Sequence, residues 1–181
     1  MRKRLGSVAL LLLLPVLAAC SDVEDPESER PDDTSTAGPL TDPITFAGEG
    51  RTCMSRPGTY LYYARLSTDE ALTLTGVELL EPNRTRITGS WVAEPPEDAV
   101  EREGFVLGDA PLADDAADTG WEQRAPLASS TLEPGTDYEF FLEMELPRQG
   151  GFEAIDFAWT GESGQGTSRL RETVDVKEAC A

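Results

Sequence analysis

Histidine occurs nowhere in the 181 residues. That absence removes the Ser-His-Asp triad, the Cys-His dyad, imidazole metal ligation and imidazole acid–base catalysis. Lysine is nearly missing too: Lys3 lies in an opening basic cluster and Lys177 near the C-terminus, which makes a Ser–Lys dyad unattractive. The chain contains no Cys-x-x-Cys motif, no Gly-x-Ser-x-Gly elbow and no phosphate-cradling glycine loop. Positive charge is scarce throughout. Fifteen Lys and Arg against 34 Asp and Glu give −19, a balance that repels phosphate backbones and excludes nucleic acid as a partner. No segment carries a helical repeat of useful length. The expectation is therefore no enzyme, no cofactor and no bound metal.

The first twenty residues carry an address. Met1-Arg2-Lys3-Arg4 is followed by an apolar run from Leu5 to Leu17, a charged region and a hydrophobic region of signal-peptide length. A spanning helix needs about 20 apolar residues, and this run is shorter and holds Pro15. Behind it stands Leu17-Ala18-Ala19-Cys20, which resembles the bacterial lipobox. The resemblance implies a signal peptide over residues 1–19, cleavage after Ala19, and a diacylglyceryl group on Cys20. Two acyl chains suffice for stable anchoring, so it also implies a chain lipid-anchored to the cell membrane through Cys20, on the extracytoplasmic face.

Residues 20–50 read as a disordered acidic tether. Asp22, Glu24, Asp25, Glu27, Glu29, Asp32, Asp33, Asp42 and Glu49 face the single base Arg30, with Pro26, Pro31, Pro39 and Pro43 interspersed. High charge with low hydrophobicity does not offset ordering entropy. Such a segment spans about 30 Å, further if like charges extend it.

Residues 51–181 read as one domain with apolar residues at period two. Tyr60, Tyr62, Ala64 and Leu66 share a face. Leu72-Thr73-Leu74-Thr75 alternates, Gly76 permits a bulge, and Val77 and Leu79 continue the strand. Ile87 and Trp91 mark a third strand. Tyr138, Phe140, Leu142, Met144 and Leu146 face one way, while Glu139, Glu143 and Glu145 face the other. Arg148 to Gly151 turns the chain, and Ile155, Phe157 and Trp159 run back on one side. Gly161 to Gly166 reads as a flexible hairpin loop. Leu170, Val174 and Val176 point inward from a last strand, Arg169 to Lys177. Between Glu94 and Glu122 long loops are expected, with a short strand at Phe105 to Leu107. The pattern gives an all-β, Ig-like antiparallel β-sandwich of about seven or eight strands.

Cys53 and Cys180 stand just before the first strand and just after the last. An even pair in an exported domain reads as a disulfide, worth about 5 kcal/mol in the chain-entropy model; free redox thiols are the rival reading. Asp114, Asp115, Asp118 and Trp121 mark an acidic loop with an aromatic that lacks strand periodicity. It is a candidate binding loop, against which stand a merely solvated loop and a tryptophan folded over a sheet edge. The EF-hand pattern fails there, since Ala116 and Thr119 occupy positions that need an oxygen ligand and glycine.

Leu132-Glu133-Pro134-Gly135-Thr136-Asp137-Tyr138 resembles the corner that introduces a late strand in fibronectin type III and related Ig-like domains. The resemblance implies that Tyr138 bonds back to the loop backbone after the Pro134-Gly135 turn, a structural role. Lipobox, acidic tether, Leu74-Thr75-Gly76-Val77, the corner and the terminal cysteine together are similar to secreted lipoproteins of actinobacteria, which carry no active-site residues onto this chain. The expected function is a membrane-anchored, non-catalytic binding or accessory module of the cell envelope, contacting an envelope protein or glycan. A structural envelope component without ligand and a small carboxylate-based hydrolase are the alternatives.

Overall fold

A computed structural model of the chain describes residues 42–97, 99, 103–111 and 119–180. Cys20, the leader and the tether up to residue 41 lie outside the described residues, as do Asp114, Asp115 and Asp118. Among the described residues no helix is long and apolar enough to cross a membrane.

The protein is an all-β sandwich. Its first sheet runs in the order β1 (Ile44–Phe46), β3 (Gly58–Thr68), β9 (Tyr138–Leu146), β5 (Arg86–Ala93), β7 (Ala125–Pro126), with β6 (Gly104–Leu107) beside the first half of β3. Opposite lie two shorter sheets. One is β12 (Gly164–Leu170), β11 (Ala154–Gly161), β4 (Leu72–Leu80), β8 (Thr131–Leu132); the other is β10 (Gly151–Phe152), β13 (Glu172–Val176), β2 (Gly50–Met54). Single residues, Glu153 and Arg171, carry the chain from one to the other. Every pairing is antiparallel except that of β2 with β13, which is parallel.

Period-two alternation builds the core. Tyr60, Tyr62, Ala64 and Leu66 of β3 pack with Tyr138, Phe140, Leu142, Met144 and Leu146 of β9 against Leu72, Leu74, Ile155, Phe157, Trp159, Leu170, Val174 and Val176. The rings of Phe140 and Phe157 meet edge to face across the interior at 4.9 Å. Burial of such side chains contributes roughly 1.5–3 kcal/mol each. A smaller cluster (Leu61, Tyr63, Ala93, Trp121 and Phe141) lies on the outer face of the first sheet. Phe141, which breaks the alternation of β9, belongs to it.

The sandwich departs from the sequence pattern in identifiable places. Thirteen strands appear among the described residues, several only two or three residues long. Ile44 is 4% exposed and pairs with Thr68, so the folded domain begins before residue 50: Ile44-Thr45-Phe46 supplies enough apolar surface to hold an edge strand. The register of β5 against β9 shifts between Ile87 and Gly89. This inserts Thr88 as an extra residue and sends Ile87 to the main core and Trp91 to the outer cluster. Glu139 does not face solvent but is fully buried. The residues after Gly151 do not pair back onto β9. They cross to the opposite sheets, where β10 joins β13 and β11 joins β4. The expected last strand breaks at Arg171 into β12 and β13, and the loop at Gly161 to Gly166 tightens into a turn whose arms pair from Gly161↔Gly164 outward. At β4 the register against β11 does shift beside Gly76, where a bulge is expected.

The two ends of the sandwich differ. β3 is eleven residues, roughly 35 Å long. At its Thr68 end Asp42 accepts from Ser168 Oγ, which in turn accepts from Trp159 Nε1 at 2.9 Å. The described chain therefore starts at this end. The turns here carry Asp69, Glu70, Glu133, Asp137 and Glu162. At the Gly58 end lie the disulfide and the Pro147–Gly151 turn.

Candidate binding surface

The structure places each described residue of interest. Cys53 and Cys180 form a disulfide with Cα atoms 5.7 Å apart, tying the strand before β3 to the C-terminus. The Tyr138 hydroxyl accepts the Glu133 backbone N–H at 3.0 Å, and the Gly135 N–H donates to the Thr68 carbonyl at 3.0 Å. The corner thus links β8, β9 and the β3–β4 turn.

Trp121 is not a solvent-facing contact residue: it is 8% exposed. It is the second residue of a 3₁₀ turn, Gly120–Gln123, that packs on β5 and, through Trp121 itself, on Phe141 of β9. A Cβ on Gly120 would run into Ala93 and the Glu94 carbonyl, so only glycine allows this approach. The Gly120 N–H donates to Glu139 Oε2 at 3.0 Å, which explains the carboxylate inside the fold. Trp121 meets Phe141 edge to face at 5.2 Å and Trp91 at 5.7 Å.

A carboxylate pair absent from the sequence reading lies at the β2–β3–β6 junction. Glu172 is 2% exposed, and its Oε1 accepts from Thr52 Oγ1 at 2.8 Å. Glu103 accepts from the Tyr62 hydroxyl at 2.9 Å. Gly48 and Gly50 pass directly over the two carboxylates, leaving no room for a Cβ. Burial pushes the Glu172 carboxyl above the usual carboxylate range; the Thr52 hydrogen bond opposes this and the Glu103 charge adds to it. Burial and Glu103 likewise raise the Tyr62 phenol. These groups are far apart in sequence, and the alternation of the strands marks none of them as facing another acid. Glu172 is sealed beneath Gly50, whereas Glu103 is exposed.

The larger grooves occur in two places: one of about 670 Å³ lined by Glu94, Pro95, Gln123, Thr131 and Tyr138 among others, and a group at the disulfide end. Three grooves surround the Pro147–Gly151 turn. The first, of about 660 Å³, is lined by Arg51, Glu81, Asn83, Gln149, Asp175 and Lys177 among others. The second, of about 400 Å³, is lined by Ser55, Pro57, Arg148, Gln149, Val176, Lys177 and Glu178. Pro57 also lines the third, of about 410 Å³, with Arg84, Glu145 and Pro147. The turn is held from all sides. Gly150 N–H bonds Pro147 O at 2.8 Å, Val176 N–H bonds Gly150 O at 2.9 Å, and Asn83 Nδ2 bonds Gln149 O at 2.6 Å. Buried Thr85 Oγ1 accepts the Gly151 N–H at 2.9 Å. Glu81, Arg84 and Gln149 all have positive φ, at 49°, 57° and 59°; such backbone persists only where surroundings enforce it, and it concentrates at functional loops.

Charges of both signs gather at this end. Arg51 and Lys177 share Asp175 at 3.2 and 2.9 Å, and their hydrogen bonds, Lys177's first, hold its carboxyl below the usual range. Arg86 forks onto Glu145 with two bonds of 2.9 Å, lowering that carboxyl too. Arg56, Arg84 and Arg148 are exposed and make no ion pair among the described residues. The remaining described bases include Arg65 on the Ala99 carbonyl, Arg124 against Trp121, and Arg169 on Asp156. Sequence reasoning missed this surface because the arginines come from three separate turns; each alone looks like an ordinary solvated base.

No protein-family model matches the chain, and no curated protein matches it. Among solved structures it is similar to the secreted serine protease VesC from Vibrio cholerae, with 8% sequence identity and a TM-score of 0.41, over 75% of this chain and 23% of that one. It is also similar to the VesB protease of Vibrio cholerae, with 12% identity and a TM-score of 0.37, over 74% of this chain and 32% of that one. The chain spans less than a third of the length of either protease, and likeness at this level bears on neither fold nor activity. With no histidine in its sequence, this chain holds no Ser-His-Asp triad.

Proposed function

We propose that the protein is a lipid-anchored, extracytoplasmic accessory module that binds a component of the cell envelope without catalysis, through the end of the sandwich that carries the disulfide. The observation that carries this reading is the tied turn at Pro147–Gly151, with Arg84 and Arg148 in the grooves beside it and Arg56 next to Pro57, all three without an ion pair among the described residues, at the end of β3 opposite Asp42. Loops held by a rigid β-scaffold are where recognition surfaces concentrate. Leu17-Ala18-Ala19-Cys20 supports the anchor.

Two measurements test the reading. Cells grown with labelled palmitate should label the protein, and Cys20→Ala should abolish the label; an unlabelled native protein overturns the anchor. The mature protein should be retained on isolated envelopes, and charge reversal at Arg56, Arg84 and Arg148 should release it. Retention indifferent to those substitutions overturns the binding surface.

A further inference from the structure

We infer that the partner of the disulfide end is an anionic polysaccharide whose repeating units carry carboxylate groups, seated across the ridge formed by Pro57 and Pro147 with Arg84 on one side and Arg148 and Lys177 on the other. This inference rests on the proposed binding function and names its ligand.

The two grooves that meet at Pro57 hold Arg84, Arg148 and Lys177, and Arg56 precedes Pro57 in the same turn. The acids there are Glu145, already forked onto Arg86, Asp175, already bonded to Lys177, and Glu178, which leaves Arg56, Arg84 and Arg148 as the bases without an ion pair among the described residues. The ridge is therefore locally basic on a protein of net charge −19. The acidic turns at the other end lie roughly 35 Å away, several Debye lengths at physiological salt, so they do not cancel the local field. A long duplex that ran past the ridge would meet the acidic flanks; a single flexible strand of lower charge density would not. The exclusion of duplex nucleic acid and the polysaccharide site are thus compatible, and the polyphosphate arm of the test below separates carboxylate from phosphate polymers.

The grooves also discriminate by what lines them. Neither the groove of Arg148 nor that of Arg84 has an aromatic side chain in its wall, whereas protein interfaces are anchored by buried aromatic and arginine hot spots. Polar neighbours are plentiful: Ser55, Thr59 and Gln149 line them with the bases, offering hydroxyl and amide partners for sugar hydroxyls. Guanidinium groups fork onto carboxylates. The left-handed backbone at Arg84 and Gln149, fixed by the hydrogen bonds of Asn83 and Gly151, sets the groove walls before any ligand arrives.

The test uses the detergent-solubilised mature protein and immobilised polygalacturonate as probe. Retention is expected at about 25 mM salt and release by about 300 mM, since release of counterions dominates such binding. Arg56→Glu/Arg84→Glu/Arg148→Glu should weaken retention at least about tenfold, whereas Arg171→Glu, exposed elsewhere, should leave it within about twofold; unchanged thermal unfolding of both variants confirms that each is folded. Four outcomes overturn the inference: no retention at low salt, equal retention on neutral dextran, retention indifferent to the triple reversal, or tighter binding to polyphosphate or to phosphatidylglycerol vesicles. The palmitate label reports separately on the anchor, so loss of the label with polygalacturonate binding intact removes the anchored reading and leaves the ligand.

Discussion

The guanidinium carbon of Arg124 lies 3.6 Å from the centroid of the Trp121 ring, and Arg124 Nη1 donates to the Trp121 carbonyl at 2.7 Å. One side chain thereby clamps both the ring and the backbone of the 3₁₀ turn over the outer face of the first sheet. Trp121→Ala should cost about 3–5 kcal/mol, the range for deleting a buried large aromatic. Arg124→Ala should cost about 1–2 kcal/mol through the lost cation–π contact and hydrogen bond. Urea unfolding followed by Trp159 fluorescence measures both. A Trp121 variant within about 0.5 kcal/mol of the native protein would show that the turn does not bear on stability.

Glu172 gives the pH dependence. Its carboxyl is raised in the folded state, so between the unfolded and the raised folded pKa the native protein holds more protons than the unfolded chain. Stability contributed by this group is then fully present below the unfolded value and falls as pH rises through the folded one. Glu172→Gln keeps an acceptor for Thr52 Oγ1 and removes the buried charge beside Glu103. The variant should be more stable than the native protein at pH 8, by under about 1 kcal/mol, and should lose that advantage near pH 4. Thermal unfolding at the two pH values reads the crossing. An advantage that grows on acidification would reverse the assignment.

How much of this was legible in the sequence depends on whether a feature is local. Tyr138 to Leu146 and Tyr60 to Leu66 alternate cleanly, because both bury one face against the same interior. The terminal cysteines could be paired by position alone. Period-two counting does not sort Trp91 from Ile87: an extra residue at Thr88 flips every side chain beyond it, and Gly89, the one local sign of a bulge in Ile-Thr-Gly-Ser-Trp, goes unread by alternation alone. Glu139 looked like an ordinary outward acid because its partner, the Gly120 N–H, belongs to a turn nineteen residues upstream. The turns of Arg56, Arg84 and Arg148 come to the same end of the sandwich only once β3, β5 and β9 are in register.

The disulfide closes nearly the whole domain, with Cys53 and Cys180 separated by 127 positions. Cys53→Ser/Cys180→Ser should lower stability by about 2–5 kcal/mol, chiefly by releasing the unfolded chain. Because Cys53 sits in β2, whose Thr52 bonds Glu172, the same variant should expose β2 and β13 to faster amide exchange than β9. Uniform exchange across these strands would mean that the β2–β13 pair holds without the crosslink.

The Tyr138 corner makes a narrower claim. Its hydroxyl accepts the Glu133 N–H at 3.0 Å, and the ring is 5% exposed within the core. Tyr138→Phe leaves the ring packing unchanged and strands one backbone donor, so a loss of about 1–2 kcal/mol is expected. The loss should appear in the unfolding free energy and not in retention on polygalacturonate, because Glu133 and Asp137 lie at the end of β3 remote from Arg84 and Arg148. A Tyr138→Phe protein that unfolds normally but releases the polymer would couple the two ends of the sandwich and contradict a rigid scaffold between them.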